Sequence, residues 1–377
     1  MKIALYCPNK PLDHPHPSGD LVIARGIRSE LQRHGHDCRE PARFRARWFW
    51  TSPRNCIQAL KWLPAAYRNT LAFRPHLWLT YHTYYKSPDI LGPWICRLLS
   101  IPYVLFQPMY ATSRRKDPKT RIGFYLNQVA LEAAKHAFVN NTDDLEALGR
   151  ILPRSSITYL PPGIFPEEFG RDEEARRTIR LHYSISSDTA LLMTAARFRL
   201  DVKFQSLAYL FGSLARVVGK ETRPFMLLVV GDGPAESELH LLAERLLPGR
   251  VIFTGGVPRK EMFRYYSAAD LFVFPGIGES LGMVFLEAQA CGLAVVALNT
   301  GGIPQVVRSQ GSHPTGVLVS RDDGTKMAAA VEALLRDPES WSRMGSNGRS
   351  FVEKERNLHL NYLQLSRMLE EIAEQGP

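Results

Sequence analysis

Eleven short apolar runs, each four or five residues long and separated by stretches of helical periodicity, recur along this chain of 377 residues. In the first half they are Ile3–Cys7, His76–Thr80, Tyr103–Phe106, Ala137–Asn140 and Ile157–Leu160. In the second half they are Ala190–Thr194, Met226–Val230, Val251–Thr254, Leu271–Phe274, Ala294–Ala297 and Gly316–Val319. Runs of this length fit strands covered on both faces, and strands that alternate with helices fold as α/β domains with parallel sheets. The first helix is predicted from about Asp20 to His34, with Gly35 as its stop; others fall around Glu236–Leu247 and Lys260–Ala268. The length exceeds what one ordinary core fills, so two domains are expected. The break is placed where the turn-rich Pro161-Pro162-Gly163 gives way to the charged helical segment Asp172–Leu181. This gives Rossmann-like domains over residues 1–168 and 169–357, with a C-terminal helix of about 358–377 packing back on the first. Facing each other, two such halves enclose a deep cleft, and ligands of such sheets bind beyond the carboxyl ends of the strands.

Charge is unevenly divided. The net charge is +10; residues 1–168 hold 23 Lys and Arg against 13 Asp and Glu, and residues 169–377 hold 24 of each. The excess positive charge therefore belongs to the first half and points to an anionic partner there. No apolar run approaches the length that spans a bilayer, and Met1–Pro8 reads as a first strand, not a secretion signal. Five cysteines without paired spacing favour a reducing, cytoplasmic setting with no disulfide framework and no zinc site. No helix-turn-helix, zinc finger or aromatic RNA-binding signature is present, so nucleic acid is not the expected partner.

The loops after the strands of the second half carry the chemistry. Glu279 and Glu287 lie eight residues apart in Glu279-Ser280-Leu281-Gly282-Met283-Val284-Phe285-Leu286-Glu287, which leads from an apolar strand into a short helix that Gly292 stops. The first carboxylate precedes the helix and the second lies inside it. The backbone N–H groups of Leu281, Gly282, Met283 and Val284 suit an anion, while carboxylates accept from hydroxyls. Arg197 and Lys203 follow another strand, where two cations can clamp a diphosphate; Arg199 competes for the same role. Gly231-Asp232-Gly233-Pro234 ends the next strand, and Thr254-Gly255-Gly256 the one after, where backbone groups can read a nucleobase edge. In the first half, Gly19 follows a long loop, Pro8–Ser18, and precedes the first helix, where a glycine lets backbone approach a phosphate. Taken singly, each of these also reads as a tight turn or a solvated loop. The functional reading rests on their recurrence at successive strand ends. A G-x-G-x-x-G fingerprint after the first strand is absent, which counts against a nicotinamide enzyme.

The segment from Phe274-Pro275-Gly276-Ile277-Gly278-Glu279 through Gly292, followed by Ala294-Val295-Val296-Ala297 and Gly301-Gly302-Ile303-Pro304-Gln305-Val306-Val307, resembles the retaining glycosyltransferases of family four. Glu279 and Glu287 match their E-x7-E motif. The resemblance extends to Arg197 and Lys203, to Gly231-Asp232-Gly233-Pro234, to Asn141-Thr142 and to Pro162-Gly163-Ile164, and covers most of the chain. It implies the GT-B arrangement of two Rossmann-like domains and a metal-independent transfer, with retained anomeric configuration, from a UDP- or GDP-sugar to a glycan or lipid-linked acceptor. By the same resemblance Glu287 holds the ribose, Glu279 contacts the transferred sugar, Arg197 and Lys203 bind the diphosphate, Leu281 to Val284 support sugar or phosphates, and Gly19 approaches from the other domain. No cofactor beyond the donor substrate and no metal is implied. The chain departs from the family pattern at Gln107, where many relatives place a histidine; His82, after the preceding strand, is a loop histidine near that position. The Arg197–Lys203 spacing is one residue longer than the commonest form, and Phe204 stands where glycine is frequent. Two other readings share the pattern: a nucleotide-sugar epimerase, and a binding protein without catalysis.

Residues 39–68 concentrate the positive charge. Arg43, Arg45 and Arg47 alternate among Phe44, Trp48, Phe49 and Trp50, and Arg54, Lys61 and Arg68 follow at intervals of seven. A second basic loop spans Arg114–Arg121. This surface is expected to rest on an anionic membrane at the inner face, with tryptophans at headgroup level. Pro64 is expected to interrupt a long helix there.

Overall fold

The computed structural model describes residues 1–15 and 19–376. The chain divides into two units, Met1–Pro161 with His359–Pro377, and Pro162–Leu358. The division thus falls at Pro161/Pro162 instead of 168/169, because Ile164 pairs with Asn357 and so ties the intervening residues to the second unit.

The first unit is a six-stranded sheet in the order β2-β1-β3-β4-β5-β6. Its strands are β1 (Lys2–Tyr6), β2 (Asp37–Arg39), β3 (Leu77–Tyr81), β4 (Tyr103–Phe106), β5 (His136–Val139) and β6 (Ile157–Tyr159). Its helices are α1 (Gly19–Arg33), α2 (Pro53–Phe73), α3 (Gly92–Leu99), α4 (Pro118–Glu132) and α5 (Thr142–Leu148). The second unit has the order β12-β11-β10-β7-β8-β9, built from β7 (Ala190–Ala195), β8 (Phe225–Val230), β9 (Val251–Phe253), β10 (Leu271–Val273), β11 (Ala294–Leu298) and β12 (Gly316–Val319). Its helices are α6 (Glu173–His182), α7 (Val202–Ala215), α8 (Glu236–Leu246), α9 (Met262–Ala268), α10 (Met283–Ala290), α11 (Thr325–Arg336) and α12 (Pro338–Glu355). A last helix, α13 (Leu358–Glu374), returns to the first unit.

All pairings between the named strands are parallel. The apolar runs have a simple cause. Successive strand residues point to opposite faces, and both faces of the second sheet are covered: Leu192, Leu227 and Val229 enter one core while Leu191, Met193 and Leu228 enter the other. In both sheets the strand order reverses once, between β1 and β3 and between β10 and β7, and that switch point is where open α/β sheets bind ligands.

Three sequence expectations change. Gly19 is itself the first residue of α1, which begins one residue before the predicted Asp20; residues 16–18 of the preceding loop lie outside the described residues. Helix α2 runs unbroken through Pro64: proline removes one N–H from the ladder, and here it does so on an exposed side, so the helix continues. Trp48, Phe49 and Trp50 form a half-buried cluster instead of a displayed one. Phe44 is 3% exposed and meets Phe49 edge-on, Trp48 lies 5.4 Å from Trp50, and Gly123 of α4 leaves the space that Trp50 fills. Arg43, Arg45 and Arg47 alternate with buried Ala42, Phe44 and Ala46, the period-two pattern of extended chain.

Candidate functional site

The site residues of the second unit converge because its strand-end loops are stitched by backbone. Ala196 N–H donates to Val230 O at 3.1 Å, Phe198 N–H to Asp232 O at 2.7 Å, and Gly231 N–H to Gly255 O at 3.0 Å. The glycines are required by contact. Gly231 (φ +146°) leaves no room for a Cβ, which would stand 1.9 Å from Ala196 O, and at Gly256 a Cβ would meet the Asp232 carboxylate at 2.1 Å. These loops bound a cleft of about 480 Å³ at the carboxyl edge of the sheet, lined by Ala195–Arg197, Val230–Asp232, Gly256–Pro258, Met262 and Val284. Arg197 is exposed there. Thr254 donates its hydroxyl to Gly255 O at 2.9 Å and does not line the cleft.

The α10 end contributes the other wall. Gly282 caps the helix in the left-handed region (φ +64°), and Gly292 (φ +79°) follows its end. The first four N–H groups of a helix have no partner within it, so Met283 and Val284, with Leu281 and Gly282 leading in, present donors where Val284 borders the cleft. The loop carrying Glu279 is held from behind by Gly301 and Gly302. Gly302 N–H donates to Glu279 O at 3.1 Å, and a Cβ on Gly302 would stand 1.8 Å from Ser280 O. Ile277 N–H donates to the Ser206 hydroxyl of α7 at 2.9 Å.

Lys203, in the first turn of α7, pairs with the Glu279 carboxylate, with the two side chains 17% and 18% exposed. Its ammonium also lies 5.5 Å from the Phe274 ring centre. Burial, with Arg199 adding, pulls the Lys203 pKa below its ordinary value. The cation after β7 and the first carboxylate after β10 thus meet across the strand-order reversal, each drawing on the other.

Glu287 lies deeper, with the residue 6% exposed. Its Oε1 accepts from Arg259 Nη1 at 2.6 Å and its Oε2 from the Tyr266 hydroxyl at 3.0 Å. Burial raises its pKa against the opposing pull of Arg259 and Tyr266. Arg259 also donates to Glu168 at 2.8 Å and sits 4.9 Å from the Phe169 ring. Although burial works against its charge, Glu287 and Glu168 hold the guanidinium's pKa above its ordinary value. Arg259 and Tyr266 escaped the sequence reading: Pro258-Arg259-Lys260 carries no spacing signal, and the tyrosine sits within an apolar helix.

In the first unit, Gly19 opens α1. His82 (φ +56°) and Gln107 (φ +53°) end the adjacent strands β3 and β4, both in the left-handed region, and His82 Nδ1 lies 3.1 Å from Gln107 O. Such backbone is uncommon for residues with side chains and gathers at functional sites.

Residues 176–351 match the family model described as glycosyl transferases group 1. Among curated relatives, the GDP-mannose-dependent alpha-(1-6)-phosphatidylinositol monomannoside mannosyltransferase of Mycolicibacterium smegmatis is 33% identical over 208 residues, 53% of this chain and 52% of the relative. The GDP-mannose-dependent monoacylated alpha-(1-6)-phosphatidylinositol monomannoside mannosyltransferase of Corynebacterium glutamicum is 37% identical over 240 residues, 61% and 57% of the two chains. The chain spans about half the length of the curated relatives it matches first. Among solved structures, sucrose-phosphate synthase from Thermosynechococcus elongatus superimposes with a TM-score of 0.71 at 21% identity, over 99% of both chains. HepE of Anabaena in complex with UDP gives 0.73 at 17% identity, over 98% of this chain and 100% of that one. The fold is therefore that of these GT-B structures, two parallel α/β units.

Proposed function

We propose that the chain is a glycosyltransferase whose second unit binds a nucleotide-diphosphate sugar and whose product keeps the anomeric configuration of the donor. The observation that carries this reading is the single cleft in which Arg197, the Gly231–Asp232 turn and the Val284 end of α10 meet, in a unit that matches the group 1 model across residues 176–351. Arg197 and the helix end take the diphosphate. Lys203, already charged against Glu279, neutralises the departing phosphate as the glycosidic bond breaks. Glu279 accepts from hydroxyls of the transferred sugar and Glu287 from those of the ribose, while the Thr254–Gly256 loop faces the base. Two cations and a helix terminus supply the positive charge that a divalent metal supplies elsewhere, so the reaction proceeds without one. Gly19, at the start of α1, is assigned to a phosphate contact.

The acceptor is a hydroxyl on a glycan or lipid-linked molecule, a reading supported by relatives whose names specify phosphatidylinositol mannosides. The corresponding location is cytoplasmic, at the inner face of an anionic membrane that the basic first unit contacts. A thermal-shift screen of UDP, GDP, ADP and their sugars tests the donor assignment. Selective stabilisation by one nucleoside diphosphate and its sugar is expected, about 2.7 kcal/mol at a hundredfold excess over Kd, and indifference to all of them overturns it. Product analysis by NMR then separates the readings: retained configuration on an added acceptor supports transfer, epimerised donor without acceptor indicates an epimerase, and binding without turnover indicates a non-catalytic protein.

A further inference from the structure

The donor site leaves unused the most lopsided stretch of the molecule. Between residues 41 and 131 the chain carries 14 Lys and Arg against two acids. Both acids are committed to helix starts: Asp89 is buried and receives the N–H groups of Leu91 and Gly92 at α3, and Asp117 accepts from Lys119 N–H at α4. With Asp89 buried, Asp117 is the one carboxylate this stretch shows to solvent, and the charge it presents is strongly positive.

The same stretch exposes large apolar side chains, and they are not the tryptophans around residue 49. Ile57 and Leu60 stand out from α2, Trp94 and Leu98 from α3, and Ile122 and Tyr125 from α4. Leu60 is 72% exposed, Leu98 69% and Trp94 56%. Each pair is three or four residues apart, so each occupies one side of its helix. Helix α3 packs against both α2 and α4, which sets the three stripes side by side. Exposed cations adjoin each stripe, Lys61 next to Leu60, Arg97 next to Leu98 and Arg121 next to Ile122. Single exposed apolar residues need no account, but a set on three neighbouring helices does.

Charge complementarity selects the occupant. A second copy of this chain would set like charge against like. A nucleic acid would satisfy the cations and leave Leu60, Trp94 and Leu98 in water. An anionic bilayer meets both demands, with phosphates for Lys and Arg and an acyl boundary for the apolar side chains.

We propose that the outward sides of α2, α3 and α4 form a docking surface for an anionic lipid bilayer. This locates the membrane contact of the function proposed above, and it stands or falls without the donor, because lipid binding needs no nucleotide.

The full chain is sedimented with vesicles of phosphatidylcholine alone and of phosphatidylcholine mixed with phosphatidylglycerol. Binding to the mixed vesicles that weakens with added salt is expected. Two variants are compared with the wild type: L60S/W94S/L98S, and K61Q/R97Q/R121Q. All six positions are exposed, so thermal unfolding and nucleotide stabilisation should match the wild type, while vesicle affinity should fall more than about tenfold in each variant. Equal recovery with both vesicle types overturns the proposal. So does wild-type vesicle affinity in either variant, and so does association with RNA or self-association in place of vesicle binding. Loss of nucleotide stabilisation in the wild type would instead count against the transferase reading.

Discussion

At the level of single residues, the second unit prepares its polar groups by pairing them before any ligand arrives. Lys203 and Glu279 satisfy one another, so removing either leaves the other partly buried and unpaired. We expect Lys203→Ala to lower kcat by about a hundredfold to a thousandfold, as when a preorganised charge-stabilising donor is lost, with donor binding measured separately by titration. Arg259 offers a sharper test. It is the first of two groups that offset the burial of Glu287; without it the Glu287 pKa rises further. In the proposed function the ionised carboxylate is the form that accepts the ribose hydroxyls, so donor affinity in Arg259→Ala should drop about tenfold or more. That affinity should recover as pH rises, over a window displaced upward from that of the wild type. A calorimetric titration across pH reads both, and a pH-independent loss would reduce Arg259 to a structural role. Gly231→Ala should destabilise the second unit by about 2 kcal/mol or more, since its Cβ would stand 1.9 Å from a carbonyl oxygen at φ +146°; chemical denaturation measures it.

Among the elements, the strands were legible because parallel strands buried on both faces are written as unbroken apolar runs. Tyr103–Phe106 and Gly316–Val319 match to the residue. The three-residue edge strand β2, Asp37-Cys38-Arg39, was not legible, because it pairs with β1 alone and two of its residues are charged. The loops of the site could be read from their glycines and charges. The Arg259–Glu287 contact could not, since it joins residues 28 positions apart through tertiary packing. The Arg43–Trp50 segment misled for a physical reason: arginines interleaved with aromatics look the same in sequence whether the rings face solvent or core. The start of α3 shows how a buried acid can fix an element. Asp89 accepts from Thr80 at 2.5 Å, Tyr103 at 2.9 Å, and Leu91 and Gly92 N–H at 2.9 Å each. Asp89→Ala would strand these donors and should cost about 3 kcal/mol. Burial raises the Asp89 pKa in spite of these bonds. A raised folded pKa means that its stabilising contribution is complete below the ordinary carboxylate range and is lost as pH climbs through the folded value. Denaturation midpoints against pH should show that decline in the wild type and its absence in Asp89→Asn.

Across the whole molecule, the first unit is completed by the chain's last helix. Helix α13 buries Tyr362, Leu365 and Leu369, its Ser366 hydroxyl lies 2.6 Å from His36 Nε2, and His359 lies 2.9 Å from Glu30. The second unit, Pro162–Leu358, has its own sheet and two cores. A chain ended after Leu358 should therefore keep the nucleotide-induced shift of the second unit, while the first unit unfolds several degrees lower or fails to fold; differential scanning calorimetry with and without nucleotide resolves the two.

That return of α13 also sets an order of events during translation. The ribosome makes residues 1–161 first, yet they wait for a helix synthesised only after all of residues 162–358. The second unit can thus mature on the nascent chain while its elder neighbour stays unfinished. Helix α1, whose Glu30 meets His359 of α13, would spend that interval without its final partner.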